Sequence, residues 1–387
     1  MGEWIGRGRK ARRAYGFDEI AIVPGGITID PDDTDPSWVL DGTRIPLPIM
    51  AAAMDGVVSP RFASQFWKFG GLGILNLEGV WSRYDDPEPT LTEISKATPE
   101  KATELVQKLY VPPLREDLVA RRIQEIKATG APAIVSSTPQ RAARYGAIAK
   151  EAGVDYFVVQ STVSTVRHES THFAPLDLGA FVKAMAPVPV LIGNCVTYEA
   201  TLELMETGCA AVIIGIGPGA ACTTRGVLGV GVPQVTATAD AAAARNFHYT
   251  RTGRYVPIVT DGGMSHGGDI CKAFACGADA VIIGSAFARS IEAPGHGFHW
   301  GMATPHSNLP RGTRVHVGTT GTLEEIIVGP ARVDDGSQNL LGALRTCMGY
   351  LGARQLRDMH LAELVIAPAI KSEGKIFQRA QNIGMGK

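Results

Sequence analysis

A cysteine in a glycine-rich loop is the residue of this sequence best suited to chemistry. Residues 215–234 read GIGPGAACTTRGVLGVGVPQ, with Cys222 at the centre. Glycines let a substrate approach the backbone closely, and an activated thiolate is a strong nucleophile. Most lone cysteines are inert core residues, but this loop has no hydrophobic periodicity that would bury the side chain. The pattern predicts a nucleophilic Cys222.

Two further glycine-rich turns are suited to binding a phosphate. Residues 261–269 read DGGMSHGGD and residues 284–285 read GS. Backbone N–H groups in such turns bind phosphate at the mouths of barrels, which makes Gly263, Gly284 and Ser285 candidates. Asp261 is placed to accept hydrogen bonds from a ribose diol. The alternatives are tight turns without a ligand and an aspartate that only caps the next helix. Together the features indicate a nucleoside monophosphate.

Eight short apolar runs predict the strands that must position these residues. The runs are continuous rather than alternating, which is typical of parallel strands covered on both faces, and stretches rich in helix formers separate most of them. Eight βα units predict a (β/α)8 TIM barrel, with a doubly wound sheet as the alternative. The predicted strands are 47–52, 72–76, 133–137, 156–161, 188–194, 210–216, 255–263 and 280–285.

The polar motifs follow these runs, where a barrel has its active site. We therefore expect one barrel domain over residues 1–387. Residues 296–335 look irregular and polar, and we interpret them as a flap or lid.

Composition excludes several classes of protein. The formal net charge is −1 with 37 basic and 38 acidic residues, so we expect neither nucleic acid nor an anionic membrane as a partner. Six cysteines without a framework spacing favour free thiols in a reducing compartment. No apolar run reaches the length of a membrane span, and a cytoplasmic location is expected.

These motifs, in this order, resemble the IMP dehydrogenase and GMP reductase family. The loop around Cys222 resembles that family's catalytic loop, and the match extends over most of the chain. It includes FDEIAIVP at 17–24, AAAMDG at 51–56, GGLGIL at 70–75, IGNCVT at 192–197, GSAFA at 284–288 and GALRTCMGYLGA at 342–353. The resemblance implies a (β/α)8 barrel, a homotetramer or octamer, and a purine mononucleotide such as IMP or XMP with NAD as cofactor.

The resemblance also implies roles for single residues. Cys222 is similar to the thiolate that adds to purine C2, and Thr224 to the threonine that helps position or activate water. The implied nucleotide-binding residues are Met54, Asn194, Asp261, Gly263, Gly284, Ser285, Gly301 and Met302. The implied cofactor-binding residues are Gln160, Ser161, Gly215 and Gly217. Carbonyls of Gly217, Gly219 and Cys222 resemble those that hold a potassium ion, and Glu373 is a weaker match to the segment that completes that site.

Three departures bear on the reaction. Only residues 82–132 separate Trp81 from the third predicted strand, which leaves no room for the CBS modules common in family dehydrogenases. Gln160 stands where an aspartate commonly meets the cofactor. The flap is short, and residues 296–335 contain no Arg–Tyr pair to activate water. Such pairs occur at 83–84, 144–145 and 254–255, where we expect ordinary surface or packing residues.

Arg311 favours one direction of reaction over the other. It stands where a Glu or Gln normally precedes Gly, and a guanidinium there would repel the ammonium that a reductase must handle. IMP dehydrogenation is therefore favoured, with Arg311 as third catalytic candidate. GMP reductase is the runner-up, and a nucleotide-sensing pseudoenzyme is a further alternative. The alternative to a catalytic role is that Arg311 is a surface residue that pairs with Glu324 or Glu325.

Overall fold

Eight parallel strands close into a barrel, as predicted. The computed structural model describes residues 2–301 and 311–386. Each barrel strand pairs with the next along the chain, and the eighth pairs with the first through Val281 opposite Ile49. Because the sheet is closed, the doubly wound alternative is wrong. The barrel strands are Ile49–Ala51, Leu72–Asn76, Ile134–Ser137, Tyr156–Gln160, Val190–Cys195, Ala211–Ile214, Ile258–Asp261 and Ala280–Ile283.

The apolar runs became strands because both of their faces are covered. Every residue of Ile134–Ser137, Ala211–Ile214 and Ala280–Ile283 is buried. Val and Ile favour the extended conformation and pack well on a pleated surface. The predicted runs were longer than the strands at several ends, since polar and glycine residues at those ends leave the ladder and form the loops of the site.

Helices cover the outside of the barrel. Helix Pro60–Trp67 shows the local signals: Ser59 Oγ accepts a hydrogen bond from the Phe62 N–H at 2.9 Å, and Pro60 occupies the first turn. The Phe66 ring packs edge-on against Phe287, with 4.7 Å between ring centroids. Within the described residues, no helix is both long and apolar enough to cross a membrane.

The α-helices, in chain order, are Pro60–Trp67, Glu88–Lys96, Pro99–Leu109, Glu116–Lys127, Pro139–Glu151, Leu178–Met185, Tyr198–Glu206, Thr224–Leu228, Gln234–Thr252, Gly267–Ala275, Ser285–Ala288, Leu323–Ile327, Leu340–Leu351 and Ile376–Gln381. Short 3-10 helices span Phe17–Glu19, Pro31–Asp33, Val80–Ser82, Leu356–Leu361 and Gly384–Gly386.

Within residues 2–301 and 311–386, four two-stranded antiparallel sheets lie outside the barrel. One of them, Phe298–Trp300 with Arg314–His316, falls in the region 296–335 that we expected to be irregular. The expectation of irregular structure is therefore wrong for these two strands. The region 296–335 also contains helix Leu323–Ile327. We call this pair of strands the flap hairpin. The other three sheets are Glu3–Gly6 with Arg9–Ala11, Ile20–Ile22 with Leu364–Ile366, and Trp38–Leu40 with Thr43–Ile45.

A buried ion pair lies at the amino end of the barrel, opposite the loops of interest. The Arg245 and Asp279 side chains are only 3% and 6% exposed, and Arg245 Nη1 donates to Asp279 Oδ2 at 2.8 Å. Asp279 also accepts from the Ile258 N–H at 2.9 Å and from the Tyr255 hydroxyl at 2.5 Å. The carboxylate thereby ties helix Gln234–Thr252 to the starts of the seventh and eighth strands.

We predict that Arg245→Met destabilises the fold by about 3 kcal/mol, because it leaves a buried carboxylate without its counter-charge. Urea unfolding measures the effect. The control is Arg251→Met, on the same helix, which breaks an exposed pair with Glu206 and should cost less than about 1 kcal/mol. Equal losses in the two variants would contradict the importance of the buried pair.

Candidate active site

A cavity of about 570 Å³ opens where the barrel strands end. Its wall contains the catalytic, nucleotide-binding, cofactor-binding and potassium-site candidates from the sequence, although these residues are far apart in the chain. Met302 lies outside the described residues. The predicted residues found in the wall are Met54, Gln160, Ser161, Asn194, Gly215, Gly217, Gly219, Cys222, Thr224, Asp261, Gly263, Gly284, Ser285, Gly301 and Arg311.

Cys222 lies in the loop between the sixth strand and helix Thr224–Leu228. The Cys222 thiol donates to Thr224 Oγ1 at 3.2 Å, and the Cys222 N–H donates to the Gly219 carbonyl at 3.0 Å. Cys222 is exposed, whereas burial raises the pKa of Cys195 and Cys276 to about 12. All six cysteines are free, and Cys222 is the exposed one, whereas Cys347 is partly buried and the other four are buried.

An arginine and a glycine hold this loop in place. Arg225 Nε donates to the Ile216 carbonyl at 3.1 Å and Arg225 Nη2 to the Val232 carbonyl at 2.7 Å. At Gly215, with a φ of +148°, a Cβ would lie 2.4 Å from the Asp261 carbonyl oxygen. The loop can pass this close to the seventh strand because residue 215 has no side chain.

Asp261 is the centre of a small polar cluster. Its Oδ2 accepts from Asn194 Nδ2 at 2.8 Å and from Gln160 Nε2 at 3.1 Å, so the ends of the fourth, fifth and seventh strands meet at one oxygen. Burial raises the pKa of Asp261 from 3.8 to about 6, against the opposing effect of the two amide donors. The carboxyl ionises near neutrality and faces the cavity.

The candidate phosphate end lies between the seventh and eighth strands. Ser285 Oγ is 3.1 Å from His299 Nε2, and Met54 Sδ lies 3.2 Å from where a Cβ on Gly284 would be. Burial lowers the pKa of His299 to about 4, so its imidazole is neutral at physiological pH. A neutral ring accepts the serine hydroxyl or donates to it without adding charge.

A buried acid near the cavity was missed from the sequence. Asp55 is 1% exposed, and its Oδ2 accepts from the Val80 N–H at 2.9 Å and from the Tyr110 hydroxyl. Burial raises the pKa of Asp55 to about 6. Tyr110 also accepts from Trp300 Nε1 at 2.8 Å. Asp55 stands in AAAMDG, directly after the first strand, and this position could have identified it as a site residue. Tyr110 follows no strand, so the sequence offered no such signal for it.

A second missed group lines the side of the cavity formed by the second and third strands. Glu78 Oε1 accepts from the Thr138 N–H at 2.6 Å and from the Ser137 hydroxyl at 2.8 Å, and Arg141 lies 3.6 Å from Glu78 Oε2. Arg83 also lies in the wall. The expectation that the Arg–Tyr pair at 83–84 is ordinary surface or packing therefore missed a cavity residue.

Arg311 borders the cavity beside the flap hairpin. Its carbonyl accepts from Gln107 Nε2 at 3.1 Å. Glu325, one of its two suggested surface partners, is paired instead with Arg332. The position in the cavity wall is consistent with a role for Arg311 in the reaction.

A larger cavity, about 720 Å³, lies between helices Pro139–Glu151 and Leu178–Met185 on the outside of the barrel. It contains none of the predicted site residues, so its volume does not identify it as the reaction site. In residues 2–301 and 311–386, no three His, Cys, Asp or Glu side chains are grouped to hold a metal ion. Glu373 is exposed and lies outside the wall of the site cavity.

Comparison with known proteins finds relatives over nearly the whole chain. The model of the "IMP dehydrogenase / GMP reductase domain" matches residues 14–375. An uncharacterized oxidoreductase of Mycolicibacterium smegmatis is 38% identical over 371 residues, covering 94% of this chain and 99% of the relative. The inosine-5'-monophosphate dehydrogenase of Methanocaldococcus jannaschii is 26% identical and covers 98% of this chain and 99% of its own length.

A solved structure has the same fold. The crystal structure of an IMP dehydrogenase/GMP reductase-like protein from Corynebacterium glutamicum superposes with a TM-score of 0.87 at 34% identity. The match covers 94% of this chain and 96% of the other. The overall fold is thus shared with a protein of similar length.

We predict that Asp261→Asn stabilises the free protein at pH 8 by about 1–2 kcal/mol. A folded-state pKa raised from 3.8 to about 6 gives a contribution to stability that is full below pH 3.8 and is lost as the pH rises through 6. The size is reduced from that of the full shift because the carboxyl faces water in the cavity. Urea unfolding of wild type and variant between pH 4 and 8 measures it.

Asp269→Asn is the control with the opposite sign. Burial opposes ionisation of Asp269, but the hydrogen bond from His266 and the charge of Lys371 lower its pKa to about 2. Its contribution is therefore present above pH 3.8, and this variant should be destabilised from pH 5 to 8, where Asp261→Asn becomes increasingly stabilising. A pH-independent difference for Asp261→Asn would contradict the raised pKa.

Proposed function

Because the chain belongs to the IMP dehydrogenase/GMP reductase family of oxidoreductases, we propose that it oxidises IMP to XMP with NAD, through a covalent adduct at Cys222. The observation that carries the proposal is the exposed Cys222 thiol at 3.2 Å from Thr224 Oγ1, in the same cavity as Asp261 and Ser285. A protein that only senses a nucleotide needs no thiol at this position.

The nucleotide would be held at three points. Asp261, ionised above pH 6, accepts hydrogen bonds from the ribose hydroxyls, and Asn194 and Gln160 fix the carboxylate. Ser285 and the glycine backbone of the neighbouring turns receive the phosphate. Met54 and Gly301 border the base. These contacts place purine C2 beside Cys222 Sγ, where proximity converts the attack into an intramolecular step.

The reaction then proceeds at C2 of the purine. Cys222 loses its proton and its sulfur forms a C–S bond to C2, and the hydrogen on C2 departs with its electron pair. Bound nicotinamide supplies the acceptor for that hydride. Water, positioned by the Thr224 hydroxyl, next adds to C2, with one of its protons passing to the purine N3 and the other released to solvent. The C–S bond breaks, which releases XMP and restores the thiolate.

The cavity residues fit the nicotinamide part of NAD. Gln160 Nε2 is used by Asn194 Oδ1 at 3.0 Å and by Asp261 Oδ2 at 3.1 Å. Gln160 Oε1 has no hydrogen-bond donor among the described residues, so it is free to accept from the cofactor. Ser161 and the positive-φ Gly217 border the same space. Gln160 would thus accept a hydrogen bond from the cofactor through Oε1, while its Nε2 donates to the Asp261 carboxylate.

A potassium ion fits the loop that carries the thiol. Carbonyl oxygens of Gly217, Gly219 and Cys222 are the kind of ligand that potassium prefers. The Gly219 carbonyl accepts the Cys222 N–H and keeps a second lone pair for an ion. When bound, the cation would stiffen the loop on both sides of the thiol.

GMP reduction with NADPH is the second candidate. Residues 296–335 have no Arg–Tyr pair to activate water, and Asp55 and Glu78 add two carboxyl groups to the cavity wall, which suits a cation such as ammonium. Steady-state assays with IMP and NAD, and in parallel with GMP and NADPH, decide between the two. Turnover in neither assay would support the sensor alternative.

We predict that Cys222→Ala abolishes turnover and leaves IMP affinity within a few-fold of wild type, because the thiol acts covalently and affinity comes from ribose and phosphate contacts. Calorimetric binding and a steady-state assay measure the two effects. Cys347→Ala, a partly buried cysteine outside the cavity wall, is the control. Appreciable turnover by Cys222→Ala would remove the covalent mechanism.

We predict that Arg311→Ala slows the hydrolysis of the Cys222 adduct more than it slows hydride transfer. A guanidinium in the cavity wall can donate hydrogen bonds to the water that opens the adduct, whereas hydride transfer does not require that water. Stopped-flow measurement of NADH separates the burst from the steady state. A wild-type steady-state rate in Arg311→Ala would exclude the role.

A further inference from the structure

The chain between the second barrel strand and helix Glu116–Lys127 does more than connect them. This connecting segment, residues 83–112, contains helices Glu88–Lys96 and Pro99–Leu109. It lies beside the flap hairpin, and three side chains make hydrogen bonds that join the segment to the hairpin or to Arg311 just before its second strand. Apart from the backbone carbonyl of Arg311, these contacts involve none of the residues assigned above to thiol chemistry or to ribose and phosphate binding.

Arg314 makes the first connection. Its guanidinium donates to three carbonyls at the carboxyl end of helix Glu88–Lys96, with distances of 3.2 Å to Ser95 and 2.8 Å to Ala97 and a further contact to Ile94. The same guanidinium lies 4.2 Å from the centroid of the Phe298 ring, on the opposite strand of the flap hairpin. The last carbonyls of a helix lack partners within it and carry partial negative charge, so this arginine clamps the hairpin to the helix.

Tyr110 makes the second connection, and it is the most buried. Its hydroxyl accepts from Trp300 Nε1 at 2.8 Å and donates to Asp55, which is itself fixed by the Val80 N–H. Trp300 is 1% exposed. One hydroxyl therefore joins the flap hairpin to the end of the first barrel strand. Nearby, Gln107 holds the Arg311 carbonyl at 3.1 Å.

The strand that carries Trp300 is fixed from two sides. Side chains alternate along a strand, and His299 is hydrogen-bonded to Ser285 while Trp300 is hydrogen-bonded to Tyr110. Gly301 follows directly, and Arg311 leads into the other strand of the hairpin. Both Gly301 and Arg311 line the cavity, so their positions depend on how this strand is held.

We propose that Tyr110 is a positioning residue for the reaction: through Trp300 it sets the place of Gly301 beside the base and, together with Gln107, that of Arg311. The kinetic effect expected from this assignment rests on the proposed function, whereas the anchoring of the flap hairpin by Tyr110 does not. The connecting segment is thus the element that fixes the flap hairpin over the reacting nucleotide.

Tyr110→Phe is the variant that tests the proposal. It keeps the ring and removes the hydrogen bonds to Trp300 and Asp55. We expect the KM for the nucleotide to rise and the steady-state rate to fall, each roughly tenfold, which together is about the effect of two lost buried hydrogen bonds, with a much smaller change in the hydride-transfer burst. Gln107→Ala should also lower the ratio of the steady-state rate to the burst rate, but it should leave the KM for the nucleotide unchanged.

Tyr84→Phe is the matched control. Its hydroxyl donates to the Leu109 carbonyl at 2.9 Å, within the same segment and without contact to the flap hairpin. We expect this variant to retain wild-type kinetics. Equal kinetic effects in Tyr84→Phe and Tyr110→Phe would reduce Tyr110 to a general structural role and overturn the proposal.

A second measurement keeps the two proposals separable. Hydrogen exchange of peptides covering 294–301 and 311–318 should be faster in Tyr110→Phe than in wild type and unchanged in Tyr84→Phe, whatever reaction the enzyme catalyses. Unchanged exchange in Tyr110→Phe would overturn the positioning role even if IMP oxidation is confirmed. Faster exchange in a protein that does not oxidise IMP would overturn the proposed reaction and leave the anchoring intact.

Discussion

Closure of the barrel is the constraint on which the rest of the structure depends. The pairing of Val281 with Ile49 joins the eighth strand to the first, and this places the loop after residue 51 beside the loop after residue 283. Only in a closed sheet do Met54 and Gly284, which are 230 positions apart in the sequence, become neighbours. The buried runs of Val and Ile supply the free energy for closure, while the polar residues at their ends contribute nothing to it and are left available for chemistry.

Two buried carboxyl groups at the site reduce the stability of the folded protein. Asp261 and Asp55 both have a pKa of about 6 because burial disfavours their charged forms. Each is only partly compensated: Asp261 by two amide donors, and Asp55 by a backbone N–H and a phenol. A folded protein that keeps such groups at neutral pH is less stable than one with apolar residues there. Their retention is understandable if a ligand and a structural neighbour use the charge, ribose hydroxyls for Asp261 and Tyr110 for Asp55.

The sequence allowed the eight strands and most of the cavity to be predicted because both depend on local signals. Continuous apolar runs marked the strands, and polar or glycine residues directly after them marked the wall of the cavity. Asp55 and Glu78 carried the same signal and were overlooked. Tyr110, Arg83 and Trp300 could not be found in this way, since they reach the cavity through the path of the connecting segment and the flap hairpin. That path is set by contacts between residues about 190 positions apart, such as Tyr110 with Trp300.

The connecting segment also explains how a short flap can hold a defined position. A long flap can fold on itself, but the flap hairpin here has only three residues in each strand, too few for independent stability. It must therefore take its order from a neighbour, and the helices after the second barrel strand lie against it. Arg314 at the helix end, Gln107 and Tyr110 supply polar contacts of fixed direction, whereas apolar packing alone would let the hairpin slide. Residues 83–112 thus hold the flap hairpin beside the candidate cavity.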